Sequence, residues 1–174
     1  MISDTEEVVK IVLDELRDRG LIKENQRSAY SSTELLLYNQ KNLENAIHEN
    51  DTEIAELREY GLPKKSASII SMSAPSGGTK ENDFAVIEDR ISKLEQSTAR
   101  TKAILRKIDR LIKQYDSPKY PDLLKRIYFD GKTREECAEI YSCDVATVSR
   151  NKSKIINNIK VVLFPNDVVG ELGC

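Results

Sequence analysis

Residues 133–164 read TREECAEIYSCDVATVSRNKSKIINNIKVVLF, and their punctuation decides the fold. Thr133 with Glu136 three positions on is a capping box, in which each side chain satisfies an orphan N–H of the first helical turn. Just upstream, Asp130-Gly131-Lys132 closes an earlier helix, Gly131 being free to take positive φ. The helix after Thr133 is predicted to run about two turns to Tyr141, with Cys137, Ala138 and Tyr141 as its buried stripe. Ala138 is small enough for a second helix to cross close above it. Ser142-Cys143-Asp144 then forms a turn, and Asp144 is the next N-cap. A second helix follows from Val145 to about Phe164, where Pro165 stops it. A short helix, a tight turn and a long basic helix make a helix-turn-helix.

The second helix has two faces. Val148, Ile155, Ile159 and Val162 recur at helical spacing and point to a core. Ala146, Ser149, Arg150, Ser153 and Asn157 point the other way. Its charges are Arg150, Lys152, Lys154 and Lys160, with no acid among them. A small, polar, cationic face suits the major groove of DNA, because short side chains permit close approach and Arg can bond two acceptors of one guanine. A basic helix alone would read as a solvated surface; the cap, turn and paired short helix in register favour DNA.

The run from Tyr128 to Glu139 resembles the C-terminal promoter-reading domain of bacterial sigma factors. Its continuation, Asp144 to Lys152, is more similar to the sigma-like late-gene regulators of phages and prophages of Gram-positive bacteria, the RinA and ArpU types. The resemblance is specific over residues 123–164 and architectural before that. It implies a helical N-terminal part ahead of the helix-turn-helix, and a sequence-specific transcription regulator that activates late genes. It also implies that Thr133 and Arg134 touch phosphate and that Val145, Ala146, Thr147, Ser149, Arg150 and Ser153 line the groove. Lys152 and Lys154 complete the expected DNA-binding set. Cys143 stands where a larger aliphatic residue is usual in such domains, and Asn151 where an apolar or aromatic one is.

The chain of 174 residues has room for one or two small domains with a real core. Its formal charge of −2 hides an asymmetry: residues 1–60 carry 7 Lys+Arg against 14 Asp+Glu, residues 61–116 carry 11 against 7, and residues 117–164 carry 9 against 6. The neutral total therefore does not count against a polyanionic partner. The N-terminus has neither the basic start nor the apolar run of a signal peptide, and no apolar run approaches a membrane span. Cys137, Cys143 and Cys174 lack metal-ligand spacing and fit a reducing cytoplasm. His48 is the sole histidine and reads as a solvated helix residue. With no P-loop, nucleophile–base pair or metal cluster legible, the expectation is a cytoplasmic non-enzyme without cofactor or metal.

An all-α fold is predicted throughout. Ser3 and Glu6 suggest a capping box for a first helix, with Val9, Val12, Leu13 and Leu16 inward and Gly20 as its stop; residues 1–28 form this N-terminal segment, ending in a polar link, 23–27. A longer helix is predicted from Ala29 or Thr33 to Tyr60. Leu36, Leu43, Asn50 and Leu57 fall seven apart, with Gln40, Ile47 and Ile54 between them, which is a coiled-coil seam carrying one Asn. Residues 61–81 read as a flexible loop. From Asn82 or Asp83 to Tyr115 the chain keeps a heptad seam: Phe84, Ile87, Ile91, Leu94, Thr98, Thr101, Leu105, Ile108, Ile112 and Tyr115. Residues 29–116 are thus expected to form an antiparallel coiled-coil hairpin, closed within one chain or between two copies of a homodimer.

The basic run Arg100, Lys102, Arg106, Lys107, Arg110 and Lys113 reads first as a solvated face opposite the acidic arm, and second as an added phosphate contact. Residues 117–164 form the DNA-binding domain, in which Leu123, Leu124, Ile127 and Tyr128 make the apolar face of a third helix. Residues 165–174 read as a loose acidic tail. The expected partners are double-stranded DNA and host RNA polymerase, with no membrane. Two other classes share this layout: the DNA-recognition small subunit of a phage packaging terminase, and a helical scaffold that binds no DNA.

Overall fold

The computed structural model describes residues 2–21, 28–62 and 80–172. Among the described residues the chain is all-helical, with eight helices and no strand. They are α1 (Ile2–Asp18), α2 (Ala29–Tyr38), α3 (Gln40–Tyr60), α4 (Lys80–Tyr115), α5 (Leu123–Tyr128), α6 (Arg134–Ile140), α7 (Val145–Leu163) and α8 (Pro165–Leu172). The polar link at 23–27 and most of the loop expected over 61–81 lie outside the described residues. None of the described helices is long and apolar enough to cross a membrane.

Contacts divide the chain into two units, Met1–Glu44 with Arg100–Cys174, and Asn45–Ala99. Boundaries near residues 29 and 117 do not follow that division. The physical reason is burial: α1, α2 and the last part of α4 place their apolar faces in the same unit as α5–α8. Val9, Val12 and Leu16 of α1, Leu36 and Leu37 of α2, Ile108 of α4, Leu123 and Leu124 of α5, and Ile156, Ile159 and Leu163 of α7 are all fully buried. Each such side chain contributes about 1.5–3 kcal/mol on leaving water. Helices as short as α2 and α5 would not hold their shape alone.

Helix α1 starts at Ile2, so Ser3 falls inside the helix rather than at its cap. Its end follows the sequence closely. Gly20 takes φ +71°, Leu21 N donates to Leu16 O and Gly20 N to Arg17 O, the paired bonds of a Schellman stop.

The single helix expected from residue 29 or 33 to 60 is two helices, broken at Asn39. Asn39 sits at φ −96°, ψ 10°, outside helical geometry. Its Nδ2 donates to Leu35 O (2.9 Å), and its Oδ1 accepts from Asn42 Nδ2 (2.9 Å). A short amide side chain that bonds the backbone competes with the helical ladder, and here it ends α2.

The expected acidic tail is also a helix, at least as far as Leu172. Pro165 stops α7, with Phe164 as C-cap, and then serves as the first residue of α8, where a missing N–H costs nothing. Glu6 holds α8 in place. Its side chain is buried, and it accepts from Lys10 Nζ (2.7 Å) and from the Asn166 backbone N–H (2.9 Å). Lys10 also reaches Asp167.

In the unit Asn45–Ala99, Ile54, Leu57 and Ile91 are buried together, flanked by Leu62, Ile87 and Leu94. Asn50 Nδ2 donates to Thr98 Oγ1 at 3.2 Å, Glu53 pairs with Arg90, and Arg58 with Glu95. Of the seven seam positions expected in residues 29–60, Leu36, Leu43, Asn50, Ile54 and Leu57 are buried and Gln40 and Ile47 are half-buried, whereas Phe84, at the start of the α4 seam, is 64% exposed.

Burial raises the Glu6 pKa, but the bonds from Lys10 and Asn166 outweigh it and leave the carboxyl below its ordinary value. Its stabilising effect is therefore complete above the unfolded-state value and is lost as pH falls through the lower folded one. Glu6→Gln should cost about 1–3 kcal/mol at neutral pH. In urea unfolding from pH 7 to pH 3, the gap between the two proteins should narrow as the pH falls.

Candidate nucleic-acid interface

Helices α5, α6 and α7 are joined by tightly bonded connections. The Asp116 carboxylate accepts the Asp122 N–H through both oxygens (3.1 and 3.0 Å), which fixes the entry to α5. Leu123, Leu124, Ile127 and Tyr128, the whole apolar face of α5, are buried. Gly131 then takes φ +66°, and the chain turns into α6.

The capping box at the start of α6 is fully formed. Glu136 N donates to Thr133 Oγ1 (3.1 Å), and Thr133 N donates to Glu136 Oε2 (2.7 Å). That backbone bond, aided by the Lys132 charge, holds the Glu136 carboxyl below its usual range. Cys137 and Ala138 face inward, and Tyr141 is half-buried. Burial pushes the Cys137 thiol pKa up, so it behaves as packing rather than as a nucleophile.

The turn after α6 is a second Schellman stop. Cys143 N donates to Ala138 O (2.9 Å) and Ser142 N to Glu139 O (3.1 Å). The residue in the left-handed position is Ser142, at φ +49°, where glycine is the usual choice. Asp144 then caps α7. Its carboxylate accepts Thr147 N (2.8 Å) and Thr147 Oγ1 (2.9 Å), and these bonds lower its pKa. Asn151 returns its Nδ2 to Thr147 O (2.8 Å), a bond within α7.

Along α7, Val148, Ile155, Ile156, Ile159 and Leu163 are buried. The sequence periodicity had named Val162, which is half-buried, in place of Ile156 and Leu163. The inward face is thus rotated slightly from the one read off the sequence. The outward arc carries Ala146, Arg150, Lys154 and Asn157, all exposed; Ser149, Arg150, Ser153, Lys154, Asn157 and Asn158 line an open depression there. Thr133 and Arg134 are exposed at the front of α6, while Val145, Thr147, Ser149 and Ser153 are half-buried.

Besides Thr133 and Thr147, which are bonded at the two caps, two members of the expected set have side-chain partners on α2. The Lys152 side chain is only 17% exposed and donates to Glu34 Oε1 of α2 at 2.8 Å, with its ammonium 5.8 Å from the Tyr128 ring centre. It lies on the side of α7 that carries Ile156 and Leu163, so it turns inward rather than toward a groove. Ser153 Oγ lies 3.3 Å from the Tyr30 hydroxyl of α2. Tyr128 also donates to Glu34 Oε1 (2.6 Å), and burial with this carboxylate raises its pKa far above the ordinary phenol range. Tyr38 packs edge-on against Tyr128, with ring centres 4.5 Å apart.

Tyr30, Glu34 and Tyr38 were not singled out from the sequence. They recur at i, i+4, i+8 along α2, a polar stripe on a helix otherwise taken as coiled-coil seam, and that spacing was the available signal. Compared with family models, curated proteins and solved structures, the chain gives no significant match.

The left-handed Ser142 gives a direct test of this turn. Ser142→Gly should stabilise the protein by about 0.5–1 kcal/mol, because glycine carries no Cβ penalty there, and Ser142→Val should destabilise it. Urea denaturation midpoints of the three proteins measure both effects.

Proposed function

We propose that α5–α7 form a helix-turn-helix and that the protein is a sequence-specific DNA-binding regulator of transcription. The observation that carries this reading is the outward arc of α7. It combines a short residue, Ala146, with Arg150, Lys154 and Asn157; none of the four is buried, and no acid lies between Val145 and Leu163. A capped helix lying on a shorter neighbour, with its cationic side open, has the form that enters a major groove. Arg150 would bond a guanine, Ala146 and Ser149 would allow close approach, and Lys154 would meet phosphate. Thr133 and Arg134 would contact phosphate from the front of α6. Lys152 is left out of the contact set, since its ammonium is held by Glu34.

The role as a sigma-like activator of phage or prophage late genes, with host RNA polymerase as partner, rests on the resemblance of residues 123–164 alone. The cross-contacts Asn50–Thr98, Glu53–Arg90 and Arg58–Glu95 support an antiparallel hairpin closed within one chain. Later residues of α3 meet earlier residues of α4, and these contacts form without a second copy.

Selection of bound sequences from random duplex DNA, with molar mass measured by light scattering on the same sample, tests the proposal. Arg150→Ala should lose on the order of 1–3 kcal/mol of specific binding and relax one base position. Lys154→Ala should weaken all sequences alike. Unchanged site preference in Arg150→Ala would refute the assignment of the reading face, and absence of salt-sensitive DNA binding by the wild-type protein would refute the function.

A further inference from the structure

We infer that the C-terminal half of α4 carries a second phosphate-binding surface, formed by Arg106, Arg110 and Lys113. These three side chains recur at i, i+4 and i+7, and all are exposed, together with Ala103 one turn earlier. The opposite side of the same segment, Thr101, Ile104, Leu105, Ile108, Leu111 and Ile112, is buried. The cations therefore form one straight stripe on the solvent side of a firmly packed helix.

What sets the stripe apart is the absence of compensation. Among the described side chains earlier on this helix, the exposed cations are matched: Arg90 pairs with Glu53 and Lys93 with Asp89. On α3, Arg58 pairs with Glu95. The acidic arm thus answers the cations of the 45–99 unit. Arg106, Arg110 and Lys113 make no hydrogen bond or ion pair with another described residue. Between residues 100 and 113 the only acid is Asp109, three positions after Arg106 and four before Lys113, and it closes no ion pair with either. The neighbouring Lys107, partly buried and donating to Thr5 Oγ1 (3.0 Å), has its pKa lowered by burial and then by the Arg110 charge. Like charges here crowd one another, an arrangement that an anionic ligand would relieve.

The spacing favours nucleic acid. Seven residues of helix span about 10 Å, and one strand of duplex DNA presents a phosphate per about 3.4 Å of axis. Three cations over that length match the charge density of a strand. A membrane surface fits less well, because a helix that lies on lipid inserts an apolar face, and the apolar face of α4 is already buried in protein. The identity of the polyanion as duplex DNA rests on the function proposed above.

Fluorescence anisotropy with a labelled duplex selected by the full-length protein tests the surface. In Arg106→Gln/Arg110→Gln/Lys113→Gln, the slope of log affinity against log salt should shrink by about two to three, and affinity at low salt should fall at least tenfold, with base preference unchanged. Arg106→Lys/Arg110→Lys should keep the wild-type slope. All three sites are exposed, so circular dichroism should show wild-type helix content and melting. A wild-type salt slope in the triple variant overturns the inference. Equally decisive against it would be binding to phosphatidylserine vesicles that the triple variant loses while its DNA affinity stays intact. Arg150→Ala in the same assay separates the two proposals. If it leaves base preference untouched while the triple variant flattens the slope, the stripe stands and the groove reading falls. If it relaxes preference while the triple variant keeps the wild-type slope, the stripe alone falls.

Discussion

The burial of one side of α7 constrains everything else in its unit. Ile155, Ile156, Ile159 and Leu163 are withdrawn from water, and helices α1, α2, α6 and α8 all pack against this helix. Once those contacts are made, a single arc of α7 is left outside, and it carries Ala146, Arg150, Lys154 and Asn157. Rotation of α7 about its axis would expose several isoleucines, so the direction in which Arg150 points is fixed by hydrophobic burial and not by any contact of its own.

The Glu34 carboxylate adds a directional element to this packing. It receives both the Tyr128 hydroxyl and the Lys152 ammonium on the same oxygen. Removing any one partner would leave the others with a poorly matched group in a partly buried place, where unpaired polar atoms are costly. The cluster therefore selects one register of α2 along α7. Packing among leucines and isoleucines supplies the energy, while the polar cluster supplies the alignment.

Local features were legible in the sequence and long-range ones were not. The capping box of Thr133 and Glu136, the Asp144 cap, the Gly20 stop and the buried face of α5 depend on residues a few positions apart, and each has its own side-chain signature. The break at Asn39 was hidden because Leu36 and Leu43 keep the heptad spacing across it. The α8 helix was hidden because its anchor, Glu6, lies 160 positions upstream of Asn166. Lys152 read as a groove contact because a cation on a basic helix looks free until its partner, 118 positions away, is known. The rotation of the inward face of α7 has the same origin, since the helices that cover it come from both ends of the chain.

The tie between Glu6 and the first turn of α8 makes the larger unit discontinuous, with the 45–99 segment inserted into it. A fragment beginning near residue 117 would carry every cap and turn of the C-terminal motif and still leave the α2-facing side of α7 bare. Its Lys152 would have no counter-ion, and Ile156 would meet water. The α5–α7 segment in this chain is therefore not a detachable module that could be grafted elsewhere by itself; it is one part of a unit whose first and last described helices are fastened together.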